Sequence, residues 1–267
     1  MVAGALLGLP SGDAVAGGEK VDLELVIATD VSYSVDENEA RIQRQGVADA
    51  FLSSEIVRAI EAGDLGRIAV AYLDFAEQNS THVLVPWRIV HDKDSAADFA
   101  EELIKVPRTH GVNTSIADGI ELATKLIEAS SFEAAQKTID ISGDGPNNEG
   151  HLVTVAREAA LAKGITINGL PIVTEADKFD VYYLADLDNY YRGCVIGGPH
   201  AFIQVAHGFE DFARAVRRKL VLEISDASRP SPNPGVIRVA ATGERKPYTY
   251  VYEKGCDIGE RMRYGSR

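Results

Sequence analysis

Asp30, Ser32 and Ser34 stand at alternate positions in VDLELVIATDVSYSVD, just where an apolar run stops. Two other segments carry the same kind of side chain: Thr114 in GVNTS and Asp144 in SGDGPNNEG. Together these supply two carboxylates and three hydroxyls. A weakly charged, oxygen-only set suits Mg²⁺, which takes six oxygen ligands and keeps several waters. Mn²⁺ fits the same cage, whereas Ca²⁺ usually takes more carboxylates and carbonyls. Each piece alone is a weak signal. Average composition yields D-x-S-x-S in roughly one chain of this length in twenty, and D-G is usually a plain turn. The combination is stronger, because each piece borders an element that would bring it to one rim. Carboxylates that bind partly through water leave a dication undercompensated, so an incoming Asp or Glu would gain a strong contact.

The elements that would position these residues alternate between strand and helix. Val21 to Thr29 has the apolar density of a strand buried on both faces. Ser34 and Glu37 have capping-box spacing ahead of a helix over about Asp36 to Leu52. Ser53 or Ser54 caps a shorter helix carrying Ile56, Val57 and Ile60. GRIAVAYLDF (66–75) and His82 to Val90 read as two strands joined by a link too short for a helical crossover, hence an antiparallel hairpin at one side of the sheet. A helix over Asp94 to Lys105 closes at Pro107. Thr114 or Ser115 starts another, with Ile116, Ile120, Ala123 and Ile127 on one face.

Further on, Lys137 to Ser142 is a fourth strand, Leu152 to Lys163 a helix and Gly164 to Val173 a fifth strand. Asp177 to Tyr191 reads as helical. Its tyrosines 182, 183, 190 and 191 pack it onto the sheet, or alternatively face a partner. Ala201 to Val205 is a sixth strand. Gly208 to Leu222 is a closing helix whose basic end, Arg217-Arg218-Lys219, suits the helix dipole. Asp140, polar within the fourth strand, is expected at its edge or against a hydroxyl. The result is an α/β fold with a doubly wound, mostly parallel sheet and one antiparallel edge strand. Ligands in such sheets sit beyond the carboxyl ends of the strands, where Asp30, Thr114 and Asp144 all fall.

Three regions follow: a leader over residues 1–20, a domain over 21–225, and a Pro-rich linker with a C-terminal tail over 226–267. Within the last, Val236 to Tyr252 has the composition for a hairpin, and the final residues read as a loose tail. The chain has 267 residues, a formal net charge of −13 and a pI near 4.9. That balance argues against nucleic acid or an anionic membrane as partner. No stretch reaches the ~18 apolar residues of a membrane helix. The apolar leader and Ala14-Val15-Ala16 have the shape of a signal peptide with its cleavage site, although a basic start is missing. An exported, periplasmic protein is therefore expected, with a cytoplasmic location as the alternative. Cys194 and Cys256 match no zinc spacing; they are either one disulfide or two unrelated thiols.

The motifs also carry a resemblance. The chain resembles a von Willebrand factor type A (VWA) domain, the Rossmann-like fold of integrin inserted domains and many bacterial adhesion and chaperone proteins. Asp30, Ser32, Ser34, Thr114 and Asp144 match that family's metal-ion-dependent adhesion site. VDLELVIATDVSYSVD, VPW (85–87), DISGDGPNN, GITINGLPI and NYYRGCVIGGPHAF resemble more closely the bacterial DUF1194 family, over about Val21 to Ser225. The resemblance implies protein binding rather than catalysis: the three hydroxyls at the metal, Asp30 and Asp144 on it directly or through water, and one position open for a partner's carboxylate. DUF1194 members usually carry a signal peptide, and the resemblance gives Cys256 no role.

Other chemistries fit less well. Gly143-Asp144-Gly145 lacks the third glycine of a dinucleotide loop, since Asn148 stands there, and no P-loop or G-x-S-x-G elbow occurs. The enzymatic alternative is a metal-dependent phosphoesterase using Asp30 as nucleophile. Haloacid-dehalogenase-type phosphatases place a second acid two residues after the first, and here that residue is Ser32.

Overall fold

A computed structural model describes residues 18–78, 80–174, 182–227 and 250–265. Its strands are β1 (Glu19–Asp30), β2 (Ile68–Phe75), β3 (His82–Val90), β4 (Phe132–Gly143), β5 (Thr166–Val173) and β6 (Ala206–His207). They form one sheet in the order β3-β2-β1-β4-β5-β6. Only the β2–β3 pairing is antiparallel. The chain winds outward from β1 to β2 and β3, then restarts at β4 and winds the other way. The switch point therefore lies between the carboxyl ends of β1 and β4, where Thr29 pairs with Ser142. Open α/β sheets form their ligand crevices at such points.

The helices are α1 (Glu37–Leu52), α2 (Ser54–Glu61), α3 (Lys93–Lys105), α4 (Ile116–Ala129), α5 (Val153–Leu161), α6 (Leu187–Tyr190), α7 (Phe212–Ala227) and α8 (Ile258–Tyr264). Alternation along β1 divides the core in two. Leu23, Leu25 and Ile27 pack with Phe51, Phe99, Phe212 and Leu220 from α1, α3 and α7. Val26 and Ala28 face the other way and pack with Ile116, Ile120 and Val153 from α4 and α5. A strand that buries both faces has no polar side to present, which is why β1 is uninterruptedly apolar from Leu25 to Ala28.

Several expectations shift. β4 begins at Phe132, ahead of its β-branched portion, because the start of β1 holds it there from the Glu19–Phe132 pair onward. The sixth strand is only Ala206–His207; residues 201–205 touch β5 through a single Gly169–Ile203 bridge. The Asn168 side chain takes the Phe202 N–H at 3.0 Å, so that donor is lost to a ladder. In the Asp177–Tyr191 segment, residues 175–181 lie outside the described residues. The rest is the short α6 followed by a π-turn over Tyr191–Val195, and Tyr190 and Tyr191 are fully buried against the sheet. The expected 236–252 hairpin falls mostly outside the described residues, and 250–252 are not strand. The tail is not loose throughout: Cys194 and Cys256 form a disulfide, and α8 packs onto the domain.

The closing helix α7 runs on to Ala227, so Lys219 is not at its end but in its middle, with 0% of its side chain exposed. Asp140 is not at an edge either. Its Oδ1 lies 2.5 Å from Lys219 Nζ, beneath α7.

The first capping box is Asp36 with Glu39, not Ser34 with Glu37. Asp36 Oδ1 accepts from Glu39 N at 2.8 Å and Glu39 Oε2 accepts from Asp36 N at 2.8 Å. Ser34 is unavailable because its hydroxyl donates to Asp144. Asp36→Ala is expected to cost about 1 kcal/mol, seen as a lower urea midpoint at constant slope.

Candidate metal centre

Asp30 is the last residue of β1, and Asp144 follows the last residue of β4. Thr114 precedes Ser115, the N-cap of α4, whose hydroxyl accepts from Asp118 N at 3.2 Å. Backbone bonds lash these loops together. Val31 N donates to Phe75 O at 2.9 Å, and Gly111 N donates to Val31 O at 3.2 Å. The five residues form one connected network. Ser32 N donates to Asp30 Oδ1 at 2.8 Å, and the Ser32 and Ser34 hydroxyls lie 3.2 Å apart. Thr114 Oγ1 donates to Ser32 Oγ at 3.1 Å, and Ser34 Oγ donates to Asp144 Oδ1 at 2.8 Å.

Burial grades across this cluster. Asp30, Ser32 and Thr114 are buried, Ser34 and Asp144 are half-buried at the mouth, and Tyr33 beside them is 81% exposed. Burial pushes the Asp30 carboxyl up to about 7, against an ordinary 3.8, while hydrogen bonds from Ser32 pull the other way. Asp30 Oδ2 is buried and accepts no hydrogen bond among the described residues. A desolvated carboxylate with one oxygen lacking a donor, joined through the other to three linked hydroxyls, fits a small hard cation. Among the described residues no three His, Cys, Asp or Glu side chains cluster as metal ligands. An ion held here would therefore rest on hydroxyls and water as much as on carboxylates.

The supporting groups were not evident from sequence. Asn148 grips Thr114 twice: its Oδ1 accepts from Thr114 N at 2.9 Å and its N donates to Thr114 O at 2.9 Å. Asn147 Oδ1 accepts from Ala117 N at 3.0 Å, fastening the same loop to α4. The only hint was the Asn pair directly after D-G-P. Gly143 is required by close approach: a Cβ there would meet Tyr191 Oη at 2.9 Å and Asp30 Oδ2 at 3.0 Å. The buried Tyr191 phenol therefore lies close to Asp30 at Gly143, and burial together with the Asp30 charge keeps it protonated. On the β2 side, Asp74 is fully buried and pairs with Arg44 Nη2 at 3.1 Å and Thr109 Oγ1 at 2.8 Å.

A doubly wound sheet with this switch point and one antiparallel edge strand is a VWA-type fold, and solved structures agree. Proximal thread matrix protein 1 from the mussel byssus superposes with a TM-score of 0.52 at 17% identity, over 78% of this chain and 46% of that one. Another structure of that protein has a zinc-occupied MIDAS motif. The pilus adhesin SpaC from Lactobacillus rhamnosus GG superposes with a TM-score of 0.55 at 17% identity, over 78% of this chain and 30% of that one. The chain thus spans less than half the length of either protein. It belongs to the DUF1194 family, described as a protein of unknown function, which matches residues 20–228. No curated protein matches it in sequence. Among the described residues no helix is long and apolar enough to cross a membrane.

Proposed function

We propose that residues 21–225 form an exported protein-binding module for adhesion or assembly, with a Mg²⁺-type site made by Asp30, Ser32, Ser34, Thr114 and Asp144. The observation that carries this reading is the connected five-residue network, joined to Asp30 through Oδ1, with the buried Asp30 Oδ2 accepting no hydrogen bond among the described residues. When bound, the ion supplies a Lewis-acidic position for an Asp or Glu side chain of the partner. The residues of the chain do the rest. The hydroxyls of Ser32, Ser34 and Thr114 would hold the ion, Asp30 and Asp144 would hold it directly or through water, and Asp144 accepts from the Ser34 hydroxyl. The zinc-occupied MIDAS motif of the byssal protein supports a divalent ion in a fold of this type. Mn²⁺ or Ca²⁺ are the other candidates. The disulfide supports export, since such bonds persist in oxidising compartments.

Titration calorimetry with MgCl₂ and MnCl₂ tests the site. Wild type is expected to bind one ion and the Asp30→Ala/Ser32→Ala protein none. Equal binding by both would place the site elsewhere. A phosphoesterase acting through Asp30 is the competing reading. Mg²⁺-dependent turnover of a chromogenic phosphate ester, abolished in Asp30→Asn, would replace the binding module with that enzyme.

A further inference from the structure

We propose that the C-terminal segment, residues 252–264, is a strap that holds the loop after Asp144 in its working shape, with Glu260 and Arg263 as positioning residues for the candidate metal centre. This rests on the reading of that centre given above. The strap lies beyond the residues matched by the family, which end at 228.

The strap is fastened at its start. Tyr252 is 5% exposed and packs edge-on against Tyr190, with ring centroids 5.6 Å apart. Its hydroxyl donates to Asp186 Oδ1 at 3.2 Å, and Lys254 Nζ reaches the same oxygen at 2.6 Å. Cys256 is then bonded covalently to the buried Cys194 in the π-turn. Downstream, α8 has only seven residues, far short of what holds a helix by itself in water. Its stability must come from what it touches: Ile258 and Met262 pack against the second core cluster, and Glu260 and Arg263 reach the loop.

At Gly259 the strap backbone presses on the loop backbone. A Cβ there would lie 2.1 Å from the Asn147 carbonyl oxygen, so no larger residue fits without moving one of them. Glu260 Oε1 accepts from Asn147 Nδ2 at 2.8 Å. Arg263 Nη1 lies 2.7 Å from Glu149 Oε2 and donates to Asn148 O at 3.5 Å. From the opposite side the same three residues are held by α4 and Thr114. Ala117 N donates to Asn147 Oδ1, Thr114 N donates to Asn148 Oδ1, and Glu149 N donates to Thr114 O at 3.2 Å. Asn147 to Glu149 are therefore clamped between the strap and the Thr114 loop. Through them the strap reaches a proposed metal ligand without contacting the ion. Groups that orient metal ligands typically change metal affinity 10- to 100-fold when removed.

Two variants leave all five proposed ligands and both cysteines intact. Gly259→Val forces α8 away from Asn147 by steric conflict. Glu260→Ala/Arg263→Ala removes the polar grip with no added bulk. Full-length proteins are compared by MgCl₂ calorimetry and by metal-free amide hydrogen exchange. Both variants are expected to bind Mg²⁺ about tenfold more weakly, the low end of that range. The amides of Thr114, Asn148 and Glu149 should exchange faster, while those of the β1 core, such as Val26, stay protected. Unchanged exchange at those three amides in Glu260→Ala/Arg263→Ala overturns the strap, and so does unchanged Mg²⁺ affinity. If wild type binds no Mg²⁺, the metal reading fails on its own, and the exchange measurement still decides whether the strap orders the loop.

Discussion

Lys219→Ala is expected to destabilise the protein by about 3–5 kcal/mol, because it leaves buried carboxylates without their cation. Lys219 Nζ lies 2.5 Å from both Asp140 Oδ1 and Glu223 Oε1, and all three side chains are no more than 2% exposed. Asn168 Nδ2 donates to the same Glu223 oxygen at 2.8 Å, and the Phe202 ring sits 5.8 Å from the ammonium. One cation between two acids cannot neutralise both. Burial and the neighbouring Asp140 charge push Glu223 up to about 7, from an ordinary 4.5, so it holds a proton below neutrality. Removing the lysine strands Asp140 and any charge left on Glu223. For a domain of this size the loss corresponds to a fall of about 6–20 °C in Tm. A loss under about 1 kcal/mol would show the triad is wetter than its geometry indicates.

The same triad sets a pH dependence of definite sign. A carboxyl whose folded-state pKa is raised binds more protons folded than unfolded between the two values. Its contribution to stability is complete below about 4.5 and is lost as the pH rises through about 7. Glu223→Gln removes that contribution. The urea midpoint of this variant, taken relative to wild type, is expected to rise between about pH 5 and about pH 8. A difference that stays flat or falls would mean Glu223 is ionised throughout.

Asp30→Asn is expected to separate stability from metal binding. Without metal, the ionised Asp30 carboxylate is desolvated, and its Oδ2 accepts no hydrogen bond among the described residues. Asparagine has the same shape and keeps the acceptor that Ser32 N uses, at 2.8 Å in wild type. Metal-free Asp30→Asn should therefore be at least as stable as wild type above neutral pH, where the carboxylate is charged. Adding MgCl₂ should reverse the order. Ligand at 100 times its dissociation constant stabilises the native state by about 2.7 kcal/mol, and only wild type should gain it. Thermal melts with MgCl₂ and with chelator read both halves. An equal Mg²⁺-induced shift in the two proteins would remove Asp30 from the site.

Much of this was legible from residue types. The β1 run, the α4 face and the antiparallel β2–β3 pair follow from local periodicity and loop length, and the structure reproduces them; of the paired cap candidates it selects Ser53 over Ser54 and Ser115 over Thr114. The five oxygen-bearing residues stand out as candidates because they lie near strand ends or a helix start, and the structure brings them into one hydrogen-bonded network. Pattern reading failed where a side chain's partner comes from far along the chain. Ser34 has N-cap spacing but bonds Asp144, 110 positions away. Lys219 reads as a helix-end cation but is drawn inward by Asp140 and Glu223.

The five candidate oxygen-bearing residues at their spacing, and the strand–helix alternation that places them beyond the sheet's carboxyl ends, are readable from sequence alone, since strand and helix periods are local properties of the chain. Tertiary structure decided the rest: the hydroxyl network and its orphaned Asp30 oxygen, the buried triad under α7, the Cys194–Cys256 bond and the strap over Asn147. Each depends on which distant segments share one small volume, and desolvation there changes what a carboxylate, a lysine or a glycine contributes.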